Sequence, residues 1–235
     1  LAALGTFGAP PLDAGLVAVL SAILRANAAS ILVSGAFSTG KTTLLNALLA
    51  ELPPDVMLAV AEAFRELDVR QPATARVVVP PFVREGEDRI TLAQAVNSLL
   101  TRARPDVMVL GEITSFDEAR EFLRAGNLGV RAMATIHGNS AESALVRLAD
   151  LAIREGVPLR SVREQAADAV DLVVHMNRQG GRRCVAEVAW VRGVDDAGHY
   201  RLELVYRAGQ PRVEALAAHL APLRAAGTIP ARGMP

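Results

Sequence analysis

The sequence predicts an α/β fold, a mostly parallel sheet with flanking helices around a phosphate loop, followed by a C-terminal β-hairpin and helix. Three observations predict it. Short apolar runs alternate with helix-period segments through about residue 177, which calls for parallel strands joined by crossover helices. The stretch ILVSGAFSTGKTTLLNALL sets Gly35, Gly40, Lys41 and Thr42 between a buried strand and an amphipathic helix. The last third changes rhythm, to runs 183–193 and 199–206 separated by Asp195-Asp196-Ala197-Gly198, a hairpin signal.

In order along the chain, residues 1–11 read as a loop broken by Pro10 and Pro11. Leu16, Val19, Leu20, Ile23 and Leu24 recur at helical spacing, so 12–25 is a helix. A strand follows at 31–34, and a helix at 41–51 stopped by Pro53 and Pro54. Strands are expected at 56–61 and 76–79. Thr91 with Gln94 makes a capping box for a helix to about Arg102, and Ser115 with Glu118 makes another for a helix to about Ala125, ended by Gly126–Gly129. Between them, 107–110 is a buried strand after Pro105; 131–136 is the next. Ser140 caps a helix to about Glu155, Ser161 with Glu164 opens another, and 171–176 is a strand. Residues 212–226 read as a final helix, with Leu216, Leu220 and Leu223 on one face, before a frayed tail. The domain reading is an entry segment (1–30), a core (31–178) and a C-terminal hairpin, helix and tail (179–235).

Composition narrows the function classes. With 235 residues, 51% of them hydrophobic, the chain can bury a real core. Lys and Arg number 25 and so do Asp and Glu, so net charge carries no nucleic-acid footprint, and few aromatics argue against a strand-stacking surface. Cys184 is the single cysteine, which removes a disulfide framework and a cysteine zinc site and fits a reducing compartment. No apolar run reaches the ~18–20 residues of a spanning helix, and the N-terminus shows no signal-peptide pattern.

The loop explains why these residues stand together. Gly35 and Gly40 let the backbone turn and aim its N–H groups at a phosphate chain, with Ser38 and Thr39 lining the turn. The helix that starts near Lys41 points its positive end at the same anion. Lys41 reaches the β- and γ-phosphates, the Thr42 hydroxyl binds Mg2+, and Thr43 supports the α-phosphate side, so ATP with Mg2+ is the expected ligand. Hydrolysis also needs a carboxylate, and Glu112, closing the run Val107–Leu110 and Gly111, is placed to hold the metal or its water. Glu62 closes VMLAVAE and reads either as the group that polarises the attacking water or as a solvated helix-start acid. His137 in ATIHGNS reads as a γ-phosphate sensor, a contact to a neighbouring site, or a structural histidine.

Four segments then resemble a family in order and spacing: GAFSTGKTTLLNALL as its Walker A; EAFRELDVRQP (62–72) as its acidic box; Arg102-Ala103-Arg104-Pro105-Asp106 running into VMVLGE as its arginine-rich lead and atypical Walker B; and Thr135-Ile136-His137-Gly138-Asn139-Ser140 as its histidine box. The chain resembles the secretion ATPase superfamily of type II and type IV secretion and type IV pili, over about residues 10–195, and within it the CpaF/TadA-like ATPases of tight-adherence pili. The resemblance implies a RecA-like core, catalytic roles for Glu62, Glu112, His137 and Arg104, and a homo-oligomeric ring, a hexamer. It also implies an inner-membrane pilus or secretion platform as partner, with the chain at the cytoplasmic face of the membrane and no direct nucleic-acid contact. A further N-terminal domain would stand before Leu1.

Departures weigh on turnover more than on binding. Ala36, Phe37, Ser38 and Thr39 make a bulkier loop than the family's, Ala63 stands where an aspartate is usual, and Ser98 and Thr114 stand where arginines are usual. An arginine finger is worth about 10³–10⁵ in rate. Three readings therefore stand: a ring ATPase, a weakened nucleotide-binding subunit, and a conjugation-type DNA-transfer ATPase.

Overall fold

In a computed structural model, residues 14–80 and 90–208 are described; the expected final helix, His219, Arg84 and both chain ends lie outside them. One eight-stranded sheet runs through the molecule. Its strands are β1 (Ile31–Gly35), β2 (Leu58–Glu62), β3 (Thr74–Val78), β4 (Val107–Ile113), β5 (Arg131–Ile136), β6 (Leu172–Gln179), β7 (Arg182–Val194) and β8 (Tyr200–Arg207). They stand in the order β3-β2-β4-β5-β1-β6-β7-β8. The first six in chain order are parallel; β7 and β8 add antiparallel to the β6 edge.

Helices cover both faces, so the central strands carry buried apolar residues on both faces rather than at alternate positions only. Ile31 and Val33 of β1, Leu58 and Val60 of β2, and Val107 and Val109 of β4 face one cluster with α1 (Ala14–Arg25) and α2 (Lys41–Leu49). Leu32, Ala59, Ala61, Met108, Leu110, Ala132 and Ala134 face the other. That second face carries α3 (Leu92–Ser98), α4 (Phe116–Asn127), α5 (Ala141–Ala152) and α6 (Leu159–Ala169), through residues such as Val96, Phe122, Leu145 and Val162. It is floored with alanine, and its helices come close. A Cβ on Gly126 of α4 would lie 2.7 Å from that of Ala169 on α6. All five residues of the predicted α1 stripe are buried.

The boxes at Thr91–Gln94 and Ser115–Glu118 form as the sequence predicts. The one at Ser161–Glu164 does not: α6 begins two residues earlier, behind Pro158, whose fixed φ starts the turn without a side-chain cap. Gly126 lies inside α4, and Gly129 alone, at φ 78°, makes the left-handed exit. After α3 the chain makes a π turn over Leu99–Ala103 and leaves it at Arg104, φ 48°. Pro105 bars the right-handed helical conformation at the residue before it. β2 and β3 are parallel yet joined by a loop, not a helix. That loop is pinned: the Asn46 side-chain amide donates to Glu66 O and accepts from the Asp68 N–H, and Gln71 Nε2 donates to Leu49 O at 2.6 Å.

Candidate functional site

The C-terminal ends of β1, β2, β4 and β5 open into one cleft of about 610 Å³, lined by the loop 37–43, the loop after β2, the end of β4, and His137. Open parallel sheets place their ligands at this edge.

The loop needs its glycines for room and for turn. A Cβ on Gly35 would stand 2.5 Å from Thr39 Oγ1 and 2.6 Å from Met176 O. Gly40, at φ 96°, is the residue before α2. Ser38 also takes a left-handed conformation, φ 58°, which costs a non-glycine residue. Thr39 folds back, its hydroxyl donating to Ala36 O at 2.9 Å.

Lys41, Glu112 and His137 meet at the loop's centre. Lys41 Nζ lies 3.7 Å from Glu112 Oε1 and 3.3 Å from both Ala36 O and His137 Nδ1. His137 Nε2 lies 3.1 Å from the same Glu112 oxygen. The geometry fits the neutral ring with its proton on Nε2, donating to Glu112, while Nδ1 accepts from Lys41. Burial pushes the Lys41 ammonium below the ordinary lysine value, and Glu112 pulls against that. Phe37, largely exposed, lies over the His137 ring with centroids 4.0 Å apart.

A β-bulge aims Glu112. β4 pairs with β5 as Leu110↔Ala134 and then Ile113↔Ile136, so one extra residue is inserted at Gly111–Glu112. The Thr135 hydroxyl donates to Gly111 O at 2.8 Å and fixes the bulge to β5. Gly111 is small because Glu62 stands beside it: a Cβ there would lie 3.1 Å from the Glu62 Cβ.

Glu62 lines the cleft but is only 2% exposed. Its Oε2 accepts from the Glu66 and Leu67 N–H groups at 3.0 and 3.1 Å, and its Oε1 lies 3.5 Å from Arg76 Nε. Of the two readings of Glu62, the solvated acid is not found; the carboxylate is buried and its Oε2 anchors the loop that follows it. Thr42 donates its hydroxyl to Glu66 Oε2 at 3.3 Å, and Thr43 lines the same cleft.

Arg104 is not brought to this site within the chain. It precedes β4, so it lies at the N-terminal edge of the sheet, a strand of roughly 23 Å away from the cleft. Sequence reasoning missed a different arginine. Arg183 of β7 lines the cleft and donates from Nε to Ser38 O at 3.1 Å. Its neighbour in space is 145 residues away in the chain, and the only local signal was the turn Gly180–Gly181, at φ 56° and 78°, that folds β7 back on β6.

A family model described as type II/IV secretion system protein matches residues 12–210. The Mycobacterium tuberculosis (strain CDC 1551 / Oshkosh) protein MT3759, named for conjugal transfer, is 35% identical over 82% of this chain and 54% of its own. The type IV secretion system protein PtlH of Bordetella pertussis is 33% identical over 69% of this chain and 50% of its own. Among solved structures, the VirB11 ATPase from the Brucella suis type IV secretion system, in complex with sulphate, superposes with a TM-score of 0.66 at 28% identity. The match covers 74% of this chain and 52% of that one. The chain thus spans about half the length of the relatives it matches.

Proposed function

The chain belongs to the type II/IV secretion system protein family, and on that premise we propose that it binds ATP with Mg2+ at the loop Gly35–Thr43 and hydrolyses it to drive a secretion machine. The carrying observation is the meeting of Lys41, Glu112 and His137 at the mouth of a glycine-hinged loop.

Each side chain then has a task. Lys41 takes the terminal phosphates, for which its depressed pKa is no obstacle once an anion stands beside it. Glu112 and His137 hold the lysine; with nucleotide bound, Glu112 would be placed to hold Mg2+ and His137 to meet the terminal phosphate. Among the described residues no group of three or more His, Cys, Asp or Glu side chains can cage a metal. A hydroxyl, a carboxylate and nucleotide oxygens are the donor set Mg2+ accepts, so Thr42 and Glu112 fit it. The ion would supply charge neutralisation on the phosphates. Glu62 acts on the water only if its loop opens; as placed, it holds that loop.

The whole machine is proposed on the same footing. The VirB11 and PtlH relatives support a type IV secretion role, and MT3759 supports conjugal transfer. The tight-adherence pilus reading rests on the four motifs alone. A hexameric ring, an inner-membrane platform as partner, a place at the cytoplasmic face, and no direct contact with DNA complete the proposal. No helix among the described residues is long and apolar enough to cross a membrane.

Phosphate release from ATP by the purified protein tests this, with Glu112→Gln alongside. Turnover that the substitution abolishes supports the motor. Tight ATP binding with no single-turnover hydrolysis supports the weakened subunit, which Arg104 at the far edge and Thr114 in an arginine's place both favour.

A further inference from the structure

We infer that Arg183 is a nucleotide-binding residue, the cation that meets the α-phosphate at the nucleoside end of the bound ATP or ADP. The inference rests on the nucleotide reading of the loop and adds to it a direction and a residue.

The direction follows from the strand order. Glu112 and His137 belong to β4 and β5, on one side of β1, and both hold Lys41. A lysine in this loop reaches the β- and γ-phosphates, so the terminal phosphate lies on that side. The acids of the cleft (Glu62, Glu66, Glu112 and Glu118) all come from β2, β4 and the segments after them. The rest of the phosphate chain must therefore cross the loop toward β6 and β7, away from those carboxylates.

Arg183 stands where it arrives. Its Cδ would be 3.2 Å from a Cβ on Gly40, so the stem lies directly over the turn before α2. Its Nε bond to Ser38 O fixes the guanidinium plane against the loop. The two Nη groups make no hydrogen bond among the described residues, and no carboxylate pairs with them. A guanidinium held by one edge with its fork open suits bidentate binding of a phosphate. The carbonyl it holds belongs to Ser38, the one non-glycine residue of the loop in a left-handed conformation.

The test compares ADP and ATP binding to the wild-type protein, Arg183→Met and Arg183→Glu, at low and high salt, together with the melting temperature of each protein without nucleotide. Methionine keeps the stem's packing and removes the charge. Both nucleotides carry an α-phosphate, so Arg183→Met should weaken both by the same factor, about tenfold, and Arg183→Glu by more. The salt dependence of ADP binding should flatten in Arg183→Met while its melting temperature stays at the wild-type value. Wild-type affinity in Arg183→Met overturns the inference alone. So does a loss that comes with a lower melting temperature and an unchanged salt dependence, which marks a loop brace. Absence of binding by the wild-type protein overturns the nucleotide reading and the inference with it.

Discussion

β2 and β4 lie side by side, and each delivers a glutamate to the same edge of the sheet, yet the two carboxylates live in opposite surroundings. Glu112 rides a bulge, is 39% exposed, and faces an ammonium and an imidazole. Glu62 ends a regular strand, is 2% exposed, and spends one oxygen on two backbone N–H groups, while the other lies 3.5 Å from Arg76 Nε without a hydrogen bond. Both stand near the C-terminal end of a strand; their partners differ. A strand-end acid serves chemistry when its carboxylate is free to change partner, and serves architecture when backbone N–H groups already hold one of its oxygens in a buried place.

Substitutions can break this contrast. The largest effect is expected for Glu112→Gln, with turnover falling by about 10²–10⁴ while ADP affinity and melting temperature hold; steady-state phosphate release measures it. Glu62→Ala should instead cost stability, about 3 kcal/mol, because the half-buried Arg76 loses its counter-charge and the loop after β2 loses its anchor. Denaturant unfolding reads this, and a Glu62→Ala protein as stable as wild type would refute the anchor.

A smaller effect comes from the other side of β1. His175 of β6 shares a hydrogen bond of 2.9 Å with Ser34, one residue before the loop, and faces Glu187 of β7. Burial pushes its pKa below the ordinary histidine value of about 6.5, against the pull of Glu187. The unfolded chain therefore takes up a proton first as pH falls, so stability is full above about 6.5 and declines below it. His175→Gln should flatten that decline in melting temperature between pH 7 and 5. The smallest effect is Arg104→Ala, which should leave turnover within about twofold of wild type. A larger loss, concentration-dependent and rescued by mixing with Lys41→Ala protein, would place Arg104 at a neighbour's site.

Much of this was legible in the sequence. β1, α2 and the phosphate loop follow from the apolar run, the glycines and Lys41, and two of three capping boxes form because a polar side chain sits three residues before a Glu or Gln on an open turn. The third failed because Pro158 had already begun the helix. Glu112 and His137 were legible as strand ends; that they share Lys41 was not, since only the bulge turns Glu112 toward it. Glu62's burial depends on a loop that folds back over it, and Arg183's approach depends on β7 pairing. Neither is encoded in local spacing.

The most direct measurement is a titration of the purified protein with ADP and with ATP and Mg2+, repeated on Lys41→Ala. Saturable binding by the wild-type protein, lost by at least tenfold when the ammonium is removed, is what the account requires. A wild-type protein that takes up neither nucleotide, or a Lys41→Ala protein that binds as tightly, would contradict it.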